Sequence, residues 1–139
     1  MKTVILIDDD PDELELMQQA ITDNYQPVDC LAYSDPEEAL KAILSNTSTP
    51  PDVIFIDINM PKLTGDMCLQ VIRKELALNS VVVAMHSTSM DSENQVFLMR
   101  RGADFAFQKP YKVEEYRQVV LQVLNFSKPR SSYTPGSFF

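Results

Sequence analysis

Five short apolar runs alternate with five segments of helical period, and this alternation constrains the fold more than any other feature of the chain. The runs are Thr3–Ile7, Val28–Tyr33, Val53–Ile56, Val81–Met85 and Phe105–Phe107. Each is only a few residues long and most are rich in β-branched or aromatic side chains, which favours strands. The segments between them read as helices. One opens at Pro11 and places Leu14, Met17 and Ile21 on one face. Asp35-Pro36-Glu37-Glu38 supplies an N-cap acid, a first-turn proline and acids at the positive end of the dipole, ahead of Ala39, Leu40, Ile43 and Leu44. A third helix runs from about Gly65 to Leu76 with Cys68, Val71 and Ile72 inward. A fourth covers Asp91–Arg101 and stops at Gly102. The last covers Val113–Ser127, with Tyr116, Val119, Val120, Val123 and Leu124 on one stripe. A (βα)5 pattern predicts an α/β fold: a doubly wound, five-stranded parallel sheet with helices on both faces and right-handed crossovers. Val81–Met85 is nearly unbroken in its apolarity, as suits a strand covered on both sides.

In open sheets of this kind, ligands sit beyond the carboxyl ends of the strands. The residues that fall there carry chemistry. Asp8-Asp9-Asp10 ends the first run and Asp57 the third, Ser87 follows the fourth, and Lys109-Pro110 ends the fifth. Acids gathered in one pocket raise each other's pKa values and need counter-charge. Lys109 and a divalent cation supply it. Mg²⁺ takes oxygen ligands and keeps several waters, so two carboxylates and a carbonyl suffice. Asp57 then reads as a nucleophile toward phosphorus, Lys109 as a point charge on a phosphoryl oxygen, and Ser87 as a hydroxyl donor to another. Asp10 reads as a first-turn acid of the following helix.

From about residue 2 to 126, the chain resembles the receiver domain of bacterial two-component response regulators. The matching pieces are Ile5-Leu6-Ile7-Asp8-Asp9-Asp10, Asp57-Ile58-Asn59-Met60-Pro61 with Gly65, the pair Ser87-Thr88, and Gly102-Ala103-Asp104 leading to Lys109-Pro110. Any one of them is weak, and all of them in order are highly specific. The resemblance implies a flavodoxin-like fold with strand order 2-1-3-4-5, the order also found in a chemotaxis member of this family. It implies that Asp57 accepts a phosphoryl group from a histidine kinase or a histidine phosphotransfer protein. It implies that Mg²⁺ is held by Asp9, Asp57 and the backbone carbonyl of Asn59, with Asp8 acting through a metal-bound water. Ser87 and Lys109 would take the phosphoryl oxygens, while Asn59 and Ser89 stand where the family tunes hydrolysis. One departure is Ala106, which occupies the position of the family's switching aromatic. Phe105 and Phe107 should face the opposite way from it. The output signal is therefore expected to travel through loop or fourth-helix shifts.

The remaining features bound the function. The chain has 139 residues, which suits one domain: a receiver over 1–127 and a flexible tail over 128–139. Its net charge is −8, against direct nucleic-acid binding. No apolar stretch approaches a membrane span and no signal peptide precedes the first strand, so a cytoplasmic protein is expected. Cys30 and Cys68 read as reduced, buried thiols. His86 reads as an ordinary strand-end residue that alternation turns away from Ser87. Met67, Met85, Met90 and Met99 read as packing, Arg100-Arg101 as dipole complements, and Phe138-Phe139 as a disordered end. With no output domain after residue 127, the reading is a switch that acts on an unidentified protein target or a phosphotransfer partner, rather than a metabolic enzyme. Two other classes compete. One is a phosphohydrolase of the haloacid dehalogenase type using Asp8, from the Asp8-x-Asp10 spacing. The other is a pseudo-receiver that binds without phosphorylation.

Overall fold

The computed structural model describes residues 1–128. The expected flexibility of the tail and of Phe138-Phe139 concerns residues outside that range, except at Lys128. That side chain is anchored, donating to the Asn79 carbonyl at 2.9 Å and lying 3.5 Å from Asp104.

All five strands form, and they are parallel in the order β2-β1-β3-β4-β5. They are β1 (Lys2–Ile7), β2 (Val28–Tyr33), β3 (Val53–Asp57), β4 (Val82–Ser87) and β5 (Phe105–Gln108). The helices are α1 (Pro11–Asn24), α2 (Pro36–Leu44), α3 (Gly65–Lys74), α4 (Ser92–Arg100) and α5 (Val113–Leu124). Alternation along the strands divides the core in two. Ile5, Ile7, Ile54, Ile56, Val83 and Met85 pack with α2, α3 and Leu98 of α4. Val4, Leu6, Phe55, Val82 and Ala84 pack with α1 and α5 through Leu14, Met17, Ile21, Tyr116, Val120 and Leu124. Both faces are thus covered, and β3, β4 and β1 from Val4 onward carry no polar residue until they reach the top edge.

Local chemistry sets the boundaries. Asp10 is the N-cap of α1, its carboxylate accepting the Asp12 N–H at 2.9 Å, so it sits one position outside the first turn expected for it. Asp35 caps α2 in the same way. The third helix is shorter than expected because Glu75 is extended (φ −90°, ψ 111°) and starts a 3₁₀ turn at Leu76–Leu78. The fifth helix ends at Leu124 rather than Ser127. Gly102, at φ 111°, ends α4 as expected.

Packing refines two readings. Met85 is buried and Met90 partly so, but Met67 and Met99 stand half-exposed on α3 and α4. Cys68 is buried, whereas Cys30 lies on edge strand β2 and is only partly covered; burial pushes both thiols up to about 11.

Arg73 ties the far end of the sheet together. Its guanidinium donates to the carbonyls of Gly102 (2.8 Å), Leu78 (3.2 Å) and Val81 (2.9 Å) and to Asp104 (3.0 Å). Asp104 in turn accepts the Val83 N–H at 2.9 Å. One planar fork therefore fixes α3, β4 and the approach to β5 relative to each other.

Candidate functional site

Strand ends bring Asp8, Asp57, Ser87 and Lys109 to one edge of the sheet. Register does much of the work: Asp57 is opposite His86 across β3 and β4, and Ser87 opposite Gln108 across β4 and β5. Backbone bonds continue the pairing past the strands, from Asp8 N–H to Tyr33, from Ile58 N–H to His86, and from Lys109 N–H to Ser87. The side chains are enclosed. Asp8 has no exposed surface, Asp57 is 5 % exposed and Lys109 8 %. Asp9 and Asn59, in contrast, lie at the exposed rim.

The Lys109 ammonium donates to Asp8 Oδ2 at 2.9 Å and lies 3.8 Å from Asp57 Oδ1. Asp8 Oδ1 accepts the Asp10 N–H at 3.0 Å, and Asp57 Oδ1 the Asn59 N–H at 3.2 Å. Burial and the neighbouring Asp8 push the Asp57 carboxyl up to about 7, against the opposing pull of Lys109 and the Asn59 N–H. Burial alone would lower the Lys109 ammonium, but the hydrogen bond and charge of Asp8, with Asp57 and Glu13 behind them, raise it. Two buried carboxylates against one ammonium leave a negative excess. That excess fits a divalent cation. Asp8 and Asp57 offer the hard carboxylate oxygens that Mg²⁺ selects, whereas Asp9, predicted as a ligand, lies outside the cluster that Asp8, Asp57 and His86 form.

Gly65 holds the Asp57 loop in place. A Cβ there would stand 2.5 Å from the Asp57 carbonyl oxygen and 2.7 Å from Ile58 Cα, and the Gly65 N–H bonds the Ile58 carbonyl at 3.0 Å. Both obstructing atoms are backbone, so Gly65→Ala must displace the loop. We expect it to cost about 2–3 kcal/mol in urea unfolding and to weaken Mg²⁺ binding, both measured on one preparation.

Ser87 is buried, and its hydroxyl accepts from Asn59 Nδ2 at 2.7 Å. A cleft of about 280 Å³ opens beside this pair, lined by Asn59, Ser87, Ser89, Met90 and Phe97 among others. Ala106 packs on the α3–α4 side, while Phe105 and Phe107 pack on the α1–α5 side, as alternation requires. Gln95 of α4 donates to the Ala106 carbonyl at 3.0 Å.

Sequence reasoning understated His86. Alternation does turn it from Ser87, but the face it joins is the one that carries Asp57 and Lys109. Its ring is fully buried, stacks on Phe107 with centroids 5.7 Å apart, and places a nitrogen within 4.8 Å of carboxylate oxygens of both Asp8 and Asp57. Burial, then the Lys109 charge, lowers its pKa to about 3, so the ring is neutral at ordinary pH. The Asp8-x-Asp10 pairing, by contrast, is not assembled, because Asp10 is committed to capping α1.

A family model described as "response regulator receiver domain" matches residues 4–121. The chain belongs to that family. A probable C4-dicarboxylate response regulator of Bacillus subtilis is 33 % identical over 117 residues, covering 84 % of this chain and 50 % of that protein. A sensor histidine kinase of Ectopseudomonas mendocina is 25 % identical over 122 residues, 88 % of this chain and 12 % of the kinase. This receiver domain thus spans half or less of the length of these relatives. Among solved structures, the receiver domain of a Francisella response regulator superposes with a TM-score of 0.73 at 28 % identity, covering 88 % of this chain and 96 % of that one. Receiver domains are signalling switches phosphorylated by histidine kinases. Among the described residues, no helix is long and apolar enough to cross a membrane.

Proposed function

We propose that this receiver domain switches protein contacts when Asp57 takes a phosphoryl group from the phosphohistidine of a histidine kinase or a phosphotransfer protein. The observation that carries the reading is the buried triad: Asp57 and Asp8 held around the Lys109 ammonium at the sheet edge. A carboxylate oxygen of Asp57 forms a bond to phosphorus as the bond from phosphorus to the donor imidazole breaks, and that nitrogen keeps the electron pair. Lys109 would meet the phosphoryl oxygens. Ser87 would donate to another once it leaves Asn59. Asp9, Asp57 and the Asn59 carbonyl would hold Mg²⁺, with Asp8 linked through water. When bound, the cation supplies positive charge that offsets the carboxylates and the incoming oxygens.

The same bond from Asn59 Nδ2 to Ser87 Oγ gives the switch a resting position. Movement of Ser87 toward a phosphoryl oxygen breaks it and shifts the loop before α4. Ala106 offers no aromatic lever, so the change passes to α4, which Gln95 tethers to β5. Val96, Phe97 and Met99 of α4 are each nearly half exposed, an apolar surface suited to a protein partner. A net charge of −8 disfavours nucleic acid in that role.

Incubation with acetyl phosphate and Mg²⁺, followed by intact-mass and peptide analysis, tests the reading. One phosphoryl group on the peptide that contains Asp57 is expected. Labelling at Asp8 would favour the hydrolase class, and absence of labelling the binding module.

A further inference from the structure

His86 is the single histidine of the chain, and among the described residues neither of its ring nitrogens has a hydrogen-bond partner. Leaving such groups unpaired in a buried place is costly, and valine would fill a similar space without that cost. An unpaired buried nitrogen asks for a partner that is not itself protein. The groups nearest the ring limit what that partner is. They are two carboxylates and one ammonium, with a negative excess, so the missing partner is a cation.

We infer that Asp8, Asp57 and His86 form a binding site for a first-row transition cation of the zinc type, and that its occupation blocks phosphoryl transfer. The three donor atoms lie within 4.8 Å of one another. Bonds of about 2.0–2.2 Å at tetrahedral angles require donors near 3.4 Å apart, so the side chains must close by roughly 1 Å. Two carboxylates and one imidazole, with water in the fourth position, is a donor set that Zn²⁺ accepts. Mg²⁺ gains little from the imidazole, since it prefers oxygens and keeps its waters. The Lys109 ammonium must yield Asp8 Oδ2 to the ion. Glu13 offers it another anion: its charge already acts on Lys109, and its buried Oε2 has no partner among the described residues. With Asp57 held as a metal ligand, its carboxylate is no longer a free nucleophile. The metal site stands apart from the phosphorylation reading, because these three residues meet whether or not Asp57 is ever phosphorylated; only the block on transfer rests on that reading.

The lone histidine makes the test direct. Zn²⁺ is added to wild-type protein without phosphodonor, and the imidazole nitrogens are followed by long-range ¹H–¹⁵N correlation. Zn²⁺ should move one ring nitrogen of His86 well outside the range of the free ring, while Mg²⁺ should not. His86→Val should weaken Zn²⁺ binding about ten-fold or more in competition with a chromophoric chelator, with Mg²⁺ titrations superimposing. An unmoved His86 resonance at saturating Zn²⁺ overturns the proposal, as does unchanged Zn²⁺ affinity in the variant. Neither result depends on phosphate uptake, so a failure of the phosphoacceptor reading would be seen separately.

Discussion

Asp57→Asn is expected to abolish uptake from acetyl phosphate and, without metal, to stabilise the folded protein at pH 8. The first effect follows from chemistry, since an amide oxygen is not a competent nucleophile. The second follows from the environment of the carboxyl. Its folded pKa is raised from 3.8 to about 7, mainly by burial and then by Asp8. The native state therefore binds more protons than the unfolded chain between roughly pH 4 and 7. Stability is lost as pH rises through that window, and the cost is fully present above it. It is on the order of 4 kcal/mol. His86 works in the opposite sense, because its folded pKa lies below its unfolded value. Its contribution is lost as pH falls below the unfolded value. The raw pH profile mixes the two, so the useful readout is the difference between wild type and variant. That difference, from urea unfolding in the presence of a chelator, should be largest at pH 8 and shrink toward zero near pH 4. A difference independent of pH would mean that Asp57 is not the strained charge.

The same electrostatics explain what the amino-acid sequence did and did not disclose. Asp8, Asp57 and Lys109 were legible because each closes an apolar run, and parallel strands must end at one edge. Asp35 was legible because a capping acid followed by proline is a local signal. Strand β2 was weaker because it is an edge strand whose residues are only partly covered. The end of α3 was hidden, since it depends on the extended backbone at Glu75 rather than on glycine or proline. Arg73 was missed altogether: three of its partners are carbonyls, which carry no side-chain signature, on segments distant in sequence or across a turn. His86 was placed on the right face but misjudged. Alternation reports which side of a sheet a residue occupies, and only tertiary structure reports that α1 and α5 seal that side with Asp8 and Asp57 inside it. Tyr116 shows the same limit, for its place in the helical stripe was clear but not that its buried hydroxyl would lack a partner.

Lys109→Met should have an effect on stability similar in size and opposite in sign to that of Asp57→Asn. Methionine keeps most of the apolar stem and removes the charge, so the loss is electrostatic rather than steric. Asp8 is left fully buried with only the Asp10 N–H to satisfy it, beside an equally uncompensated Asp57. Breaking a buried pair in this way costs about 3–5 kcal/mol, expected here for metal-free protein at neutral pH. The loss should be partly recovered by saturating Mg²⁺, which binds the native state alone. Adding Asp8→Asn should also recover much of it, because it removes the anion that the ammonium neutralised. The pair thus forms a double-mutant cycle with a coupling of at least about 2 kcal/mol. Phosphoryl uptake from acetyl phosphate should fall about a hundred-fold in the single variant, and Asp8→Asn should not restore it. That split separates two duties of one side chain. The stabilising duty is electrostatic neutralisation and can be met by deleting an anion. The chemical duty is a positive charge at the phosphoryl oxygens, which no deletion supplies. A double variant that regained both stability and uptake would show that Lys109 serves only to hold Asp8.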